Sequence, residues 1–103
     1  MSEPVYKLVV FKGYTEAYYQ LSKGERRRLY DEATAVDEKY GVEWVVQCDS
    51  RWATEAVPWW GVIKYPSMEA CQQSTAESEN FDWWRYVEAE STLGTYRVEV
   101  PPS

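Results

Sequence analysis

Four runs rich in β-branched and aromatic residues, separated by two stretches with helical signals, predict an α+β fold in the order strand, helix, strand, strand, helix, strand. That order is the split-βαβ arrangement of a ferredoxin-like sandwich, in which two helices cover one face of a four-stranded antiparallel sheet. A second observation concerns the other face. Several strands are apolar or aromatic on both sides, so the uncovered face needs a partner, and the economical partner is a second copy packed sheet against sheet as a two-fold homodimer. At 103 residues there is room for one domain, 1–103, with one core.

Each element has its own signal. Val5-Tyr6-Lys7-Leu8-Val9-Val10-Phe11, closed by Gly13, reads as a central first strand. Tyr14 to Leu21 is a connection with room for a helical turn over Glu16–Tyr19. Ser22 and Glu25 have capping-box spacing and open a helix with an apolar stripe of Leu29, Ala33, Val36 and Tyr40, which Gly41 stops in the left-handed conformation. Val42 to Asp49 is a second strand, with Trp44, Val46 and Cys48 expected on one face and Val45, Gln47 and Asp49 on the other. A loop from Ser50 to Pro58 leads to a third strand, Trp59 to Tyr65, where Gly61 marks close backbone approach or a bulge. Ser67 caps a second helix running to about Asn80. Its stripe of Met68, Cys71 and Thr75 is thin. The last strand is expected over residues 83–92, broken by Leu93-Gly94-Thr95 before a further extended piece, Tyr96 to Val100.

Composition excludes several classes of function. The net charge is -6, with 17 acids against 11 cations, which opposes binding to nucleic acid or to anionic membrane surfaces. Consecutive helical residues point about 100° apart, so Arg26, Arg27 and Arg28 do not form one basic patch. No apolar run approaches the ~20 residues needed to span a bilayer, and Met-Ser-Glu-Pro is no signal peptide, so a cytoplasmic protein is expected. The chain has no His, which removes His-based triads, His-ligated haem and the usual zinc sites. Cys48 and Cys71 lie in different elements and read as reduced, buried thiols. No metal and no cofactor are expected.

The outlier is aromatic content. Six Trp and nine Tyr exceed what a small core hides, since each ring buries on the order of 150–250 Å², so some should line a pocket or an interface. Period two over the last strand puts Tyr86, Glu88 and Glu90 on one face and Arg85, Val87 and Ala89 on the other. Two acids behind indoles and phenols make that first face the candidate site. Glu88 is the expected proton acceptor, Tyr86 and Arg85 orient substrate or hold an oxyanion, and Trp59, Trp60, Tyr65, Trp84 and Glu90 contact a hydrophobic, aromatic small molecule. The plainer reading is that both acids are solvated strand residues neutralised by Lys12 or Lys64. Within each tandem pair, Trp59-Trp60 and Trp83-Trp84, strand geometry would send one indole inward and the other outward. Asp49 and Arg51 fit either a lid or a surface ion pair.

The run Trp60-Gly61-Val62-Ile63-Lys64-Tyr65-Pro66-Ser67-Met68-Glu69-Ala70, a strand entering a helix, together with the element order, resembles the dimeric α/β-barrel superfamily. That resemblance spans nearly the whole chain and is one of pattern. The group includes antibiotic-biosynthesis monooxygenases acting on polycyclic phenols without a cofactor, and EthD-like and YciI-like proteins. It implies a dimeric barrel, and a cofactor-independent monooxygenase or cyclase of secondary metabolism using residue types such as Trp59, Trp60, Tyr65 and Arg85. Branches that rely on a His are excluded by this sequence. The alternative is a non-catalytic module that binds a ligand or a protein.

Overall fold

The computed structural model describes residues 3–97. Four strands, β1 (Val5–Tyr14), β2 (Glu43–Asp49), β3 (Trp59–Tyr65) and β4 (Val87–Thr95), form one sheet in the order β2-β3-β1-β4. Every neighbouring pair is antiparallel. With helices α2 (Lys23–Lys39) and α3 (Met68–Ser78) as its crossovers, this is the ferredoxin-like α+β arrangement. Two short helices, α1 (Glu16–Tyr19) and α4 (Trp83–Tyr86), complete the fold.

The local signals act as their chemistry requires. Ser22 Oγ accepts from the Glu25 amide at 3.1 Å, while a Glu25 carboxylate oxygen accepts from the Ser22 amide at 3.0 Å, so the capping box that starts α2 is complete. Gly41 stops that helix at φ 68°, the left-handed conformation open to glycine. Ser67 caps α3 through the Ala70 amide at 3.1 Å. Cys71 and Ser74 are buried on the sheet side of α3. A carboxylate of Glu77 on α3 accepts from Lys39 and, at 2.9 Å, from the Tyr40 hydroxyl, tying the two long helices together.

The end of the chain departs from the sequence expectation. Residues 83–86 are not strand: Asp82 sits in the left-handed region at φ 55°, and Trp83–Tyr86 coil into α4. The reason lies in the partner strand. β1 ends at Tyr14, which pairs with Val87, and beyond it Thr15 turns away to cap α1. Nothing remains for residues 83–86 to pair with. Thr15 instead fastens α4, its amide donating to the Tyr86 carbonyl at 3.1 Å and its hydroxyl to the Arg85 carbonyl at 2.6 Å. In the other direction, Leu93-Gly94-Thr95 does not break the strand, because Lys7, Tyr6 and Val5 pair with it in turn. A full ladder outweighs the poor strand propensity of one glycine. Tyr96 and Arg97 lie outside any strand; residues 98–100 lie outside the described region.

A second correction concerns β2. The register slips between Trp44, which pairs with Ile63, and Val46, which pairs with Val62, so Val45 is an extra residue. This bulge turns Trp44 to the helix side and sends Val46 and Cys48 to the opposite face. The expected grouping of Trp44 with Val46 and Cys48 is thereby split. Gly61 on β3 accommodates it, with the Trp44 ring lying where a Cβ would stand.

Alternation fixes the two faces. Val5, Lys7, Val9 and Phe11 face the helices, with Ile63, Tyr65 and Val87 beside them; Tyr6, Leu8, Val10, Trp60, Val62, Glu88 and Glu90 face away. The core is small: Ile63, Tyr65 and Cys71, with Val9 and Val42 packed against them. Among the described residues no large side chain is wholly shielded from solvent. The radius of gyration, 15.5 Å, exceeds the roughly 13 Å of a compact chain of this length, in keeping with a two-layer slab only 17 Å thick.

Candidate functional site

Between the sheet and the two long helices lies a cavity of about 610 Å³. Its floor is aromatic because the inward positions of three adjacent strands carry rings. Phe11 stacks on Trp59 at 4.8 Å between centroids, and Trp44 meets Trp59 edge-on at 5.8 Å. Tyr14 meets Phe11 at 4.9 Å and stacks on Tyr18 at 3.8 Å. The result is a row of rings, Tyr18, Tyr14, Phe11, Trp59 and Trp44, crossing β1, β3 and β2. Trp83 and Trp84 from α4 and Tyr30 from α2 add to the lining.

A few polar groups face this cavity. Asp37, in the last turn of α2, shares it with Lys7 of β1, Tyr65 of β3 and Ser74 of α3. Burial pushes the Asp37 carboxyl above its ordinary value; a hydrogen bond from Trp44 and the positive charge of Lys7 oppose that shift. Tyr65 is pushed up to about 12, chiefly by burial, then by Cys71 and Asp37, against a hydrogen bond with Ser74. The Ser74 hydroxyl donates to the Cys71 carbonyl at 3.0 Å. Lys7 Nζ lies 5.8 Å from the centre of the Tyr65 ring. Burial also raises Tyr14, helped by Tyr18. The Asp37 carboxyl, the Lys7 ammonium and the phenols of Tyr14 and Tyr65, with Glu38 and Tyr30 also in the lining, thus share a space otherwise walled by rings, an arrangement able to sandwich a planar molecule and exchange a proton with it.

The residues singled out from sequence are divided by the sheet. Trp59, Tyr65 and Trp84 line the cavity. Trp60, Glu88 and Glu90 point away from it, and Glu90, with its side chain 77% exposed, pairs with Lys12 at 3.7 Å. Arg85 is exposed, its guanidinium 5.8 Å from the Tyr86 ring centre, and α4 rather than a strand carries both. The structure therefore does not bring Glu88, Tyr86 and Arg85 together with Trp59 and Tyr65. At the end of β2, Asp49 forms a bidentate pair with Arg51 of the following turn at 3.0 and 2.8 Å, which holds the Asp49 carboxyl down at about 2.

Asp37, Lys7 and Trp44 are the cavity residues that sequence reasoning passed over. Lys7 had a readable signal, a lone cation among Val5, Val9 and Phe11 on the inward face of the central strand. Asp37 is four residues past Ala33 and seven past Tyr30, on the same side of α2. Trp44 was hidden by the bulge.

A small α+β sandwich with an aromatic pocket between sheet and helices is the class that fold and site define. No protein-family model and no curated protein sequence matches the chain. Solved structures do share its fold. One is RPA0582, a protein of unknown function from Rhodopseudomonas palustris: the methylated form is similar over 95% of this chain and 84% of that one at 14% identity, TM-score 0.68. Another is a variant of SnoaB, a cofactor-independent oxygenase from Streptomyces nogalater, similar over 98% of this chain and all of that one at 12% identity, TM-score 0.56.

Proposed function

We propose that the cavity binds a planar, hydrophobic aromatic molecule and that the protein is a cofactor-independent oxygenase of such compounds, with molecular oxygen as the oxidant. The observation that carries this reading is the ring-walled cavity of about 610 Å³ lined by the Asp37 and Glu38 carboxylates and the Lys7 ammonium; the shared fold with the oxygenase SnoaB lends it support. Trp59 and Trp84 are the stacking surfaces and Tyr65 a polar contact. Trp60 and Glu90 belong to the outer face, which we assign to a second copy of the chain. Leu8, Val46 and Trp60 are exposed there, and covering them would bury apolar surface worth about 25 cal/mol per Å².

Titration with the tricyclic phenol anthracen-9-ol, read by quenching of indole fluorescence, tests the binding. Saturable quenching that weakens in Trp59→Ala and Trp84→Ala but not in Trp60→Ala is expected, with oxygen uptake above the rate of the phenol alone. Absence of saturation overturns the reading. Saturation without added oxygen uptake supports instead a ligand-binding module, the second reading that the same cavity allows.

A further inference from the structure

The cavity places a carboxylate and an ammonium from different elements against one partly open space, and no pairing between them uses either up. Asp37 comes from α2 and Lys7 from β1, and both line the cavity; among the described residues, the ion pairs found involve other side chains. The charged and titratable groups facing Asp37 are Lys7 from β1, Tyr65 from β3 and its helix neighbour Glu38; Trp44 from β2 and Ser74 and Thr75 from α3 are uncharged. An acid and a cation held apart across an aromatic slot suit a ligand that gives up a proton on one side and keeps the electron pair on the other.

We propose that Asp37 is the proton acceptor of this pocket and Lys7 the counter-charge for the oxyanion that results, the ligand being an aromatic hydroxyl compound. In the step the ligand's O–H bond breaks, the proton passes to a carboxylate oxygen of Asp37, and the bonding pair stays on oxygen as an aryloxide beside the Lys7 ammonium. Charge is conserved: one anion becomes neutral as another forms, so no net charge enters the cavity. Burial brings the carboxyl closer in acidity to a phenol and makes it the better base. Tyr65 stays a neutral hydrogen-bond donor throughout, its ionisation lying near 12. The inference rests on the reading of the cavity as a ligand site.

The probes are 4-nitrophenol, which yellows on ionising, and its methyl ether, which has no proton to lose. At pH 6 the bound phenol should be yellow, its ionisation midpoint lowered by about 1 to 3 pH units by the neighbouring cation. Binding enthalpy in wild type should not vary with the ionisation enthalpy of the buffer, because the proton stays on Asp37. In Asp37→Asn the proton must go to buffer, and the enthalpy should vary accordingly; in Lys7→Met the bound phenol should stay colourless. The wild-type arm decides even if a variant fails to fold. If neither probe binds, the ligand-site reading falls and this inference with it. If both bind alike and the phenol stays colourless, the site stands and the proton transfer is overturned. A yellow complex that releases its proton to buffer in wild type overturns the role of Asp37 alone.

Discussion

Gly61 and Trp44 are locked across the β2–β3 ladder: a Cβ on Gly61 would stand 2.8 Å from the Trp44 indole and 2.8 Å from the carbonyl oxygen of Val46. Neither distance is tolerable, and the backbone oxygen has no rotamer to escape into. Gly61→Ala should therefore cost about 1–3 kcal/mol through overpacking, read as a lower urea midpoint. Because Trp44 walls the cavity, its displacement should also shift the indole emission of the folded protein.

The Thr15 side chain holds two helices at once. Its hydroxyl donates to the Arg85 carbonyl at 2.6 Å and accepts from the Tyr18 amide at 3.4 Å. Thr15→Val keeps the shape and removes both. A loss of roughly 0.5–2 kcal/mol is expected, together with faster amide exchange in α4 than in β4. Equal exchange in the two elements would show that α4 stands without this clamp.

Asp37 and Glu77 should respond to pH with opposite signs. Burial raises the folded Asp37 pKa above its ordinary 3.8, so its contribution is most favourable below that value and declines as pH rises to the raised one. Hydrogen bonds from Lys39 and Tyr40 lower Glu77 below its ordinary 4.5, so its contribution is present above 4.5 and lost as pH falls through the lowered value. Denaturant midpoints measured from pH 3 to pH 8 separate them: Asp37→Asn should gain on wild type as pH rises, whereas Glu77→Gln should fall further behind.

Tyr65 should be the phenol that resists alkali. A spectrophotometric titration should contain one group ionising near 12, absent in Tyr65→Phe. Its persistence in that variant would place the shifted phenol elsewhere.

Light scattering tests the outer face. Leu8, on the central strand, is 39% exposed in the middle of the surface assigned to a second copy. Wild type should run at twice its chain mass and Leu8→Glu at 12.1 kDa. A wild type already at 12.1 kDa removes the dimer.

Much of the fold was legible because its signals are local. The Ser22–Glu25 box and the Gly41 stop are decided within four residues of chain, and the structure has both. So is the alternation of Val5, Val9 and Phe11, which puts them on one side of β1. What sequence did not disclose depended on partners distant in the chain. Trp83 and Trp84 were expected on opposite sides of a strand, yet both line the cavity because β1 ends before reaching them and they coil instead. Trp59 and Trp60, in a strand with partners along its length, do point opposite ways. Glu88 and Glu90 were rightly placed on one face; which face lay against the helices was beyond what alternation reveals, and so Asp37 on α2 went unnoticed.

The extra residue at Val45 has a meaning for heredity as well as for shape. Deleting Val45 alone would make the pairing of β2 even while leaving Trp44 opposite Ile63 on the helix side and Val46 opposite Val62 on the outer face, so it would remove the local bend without carrying the indole across the sheet. The bend of β2 is thus written in the count of residues, whereas the side taken by the indole follows from its pairing with Ile63. Substitution scanning, however exhaustive, never varies that count, so a library of single-codon deletions is the screen in which this determinant would surface.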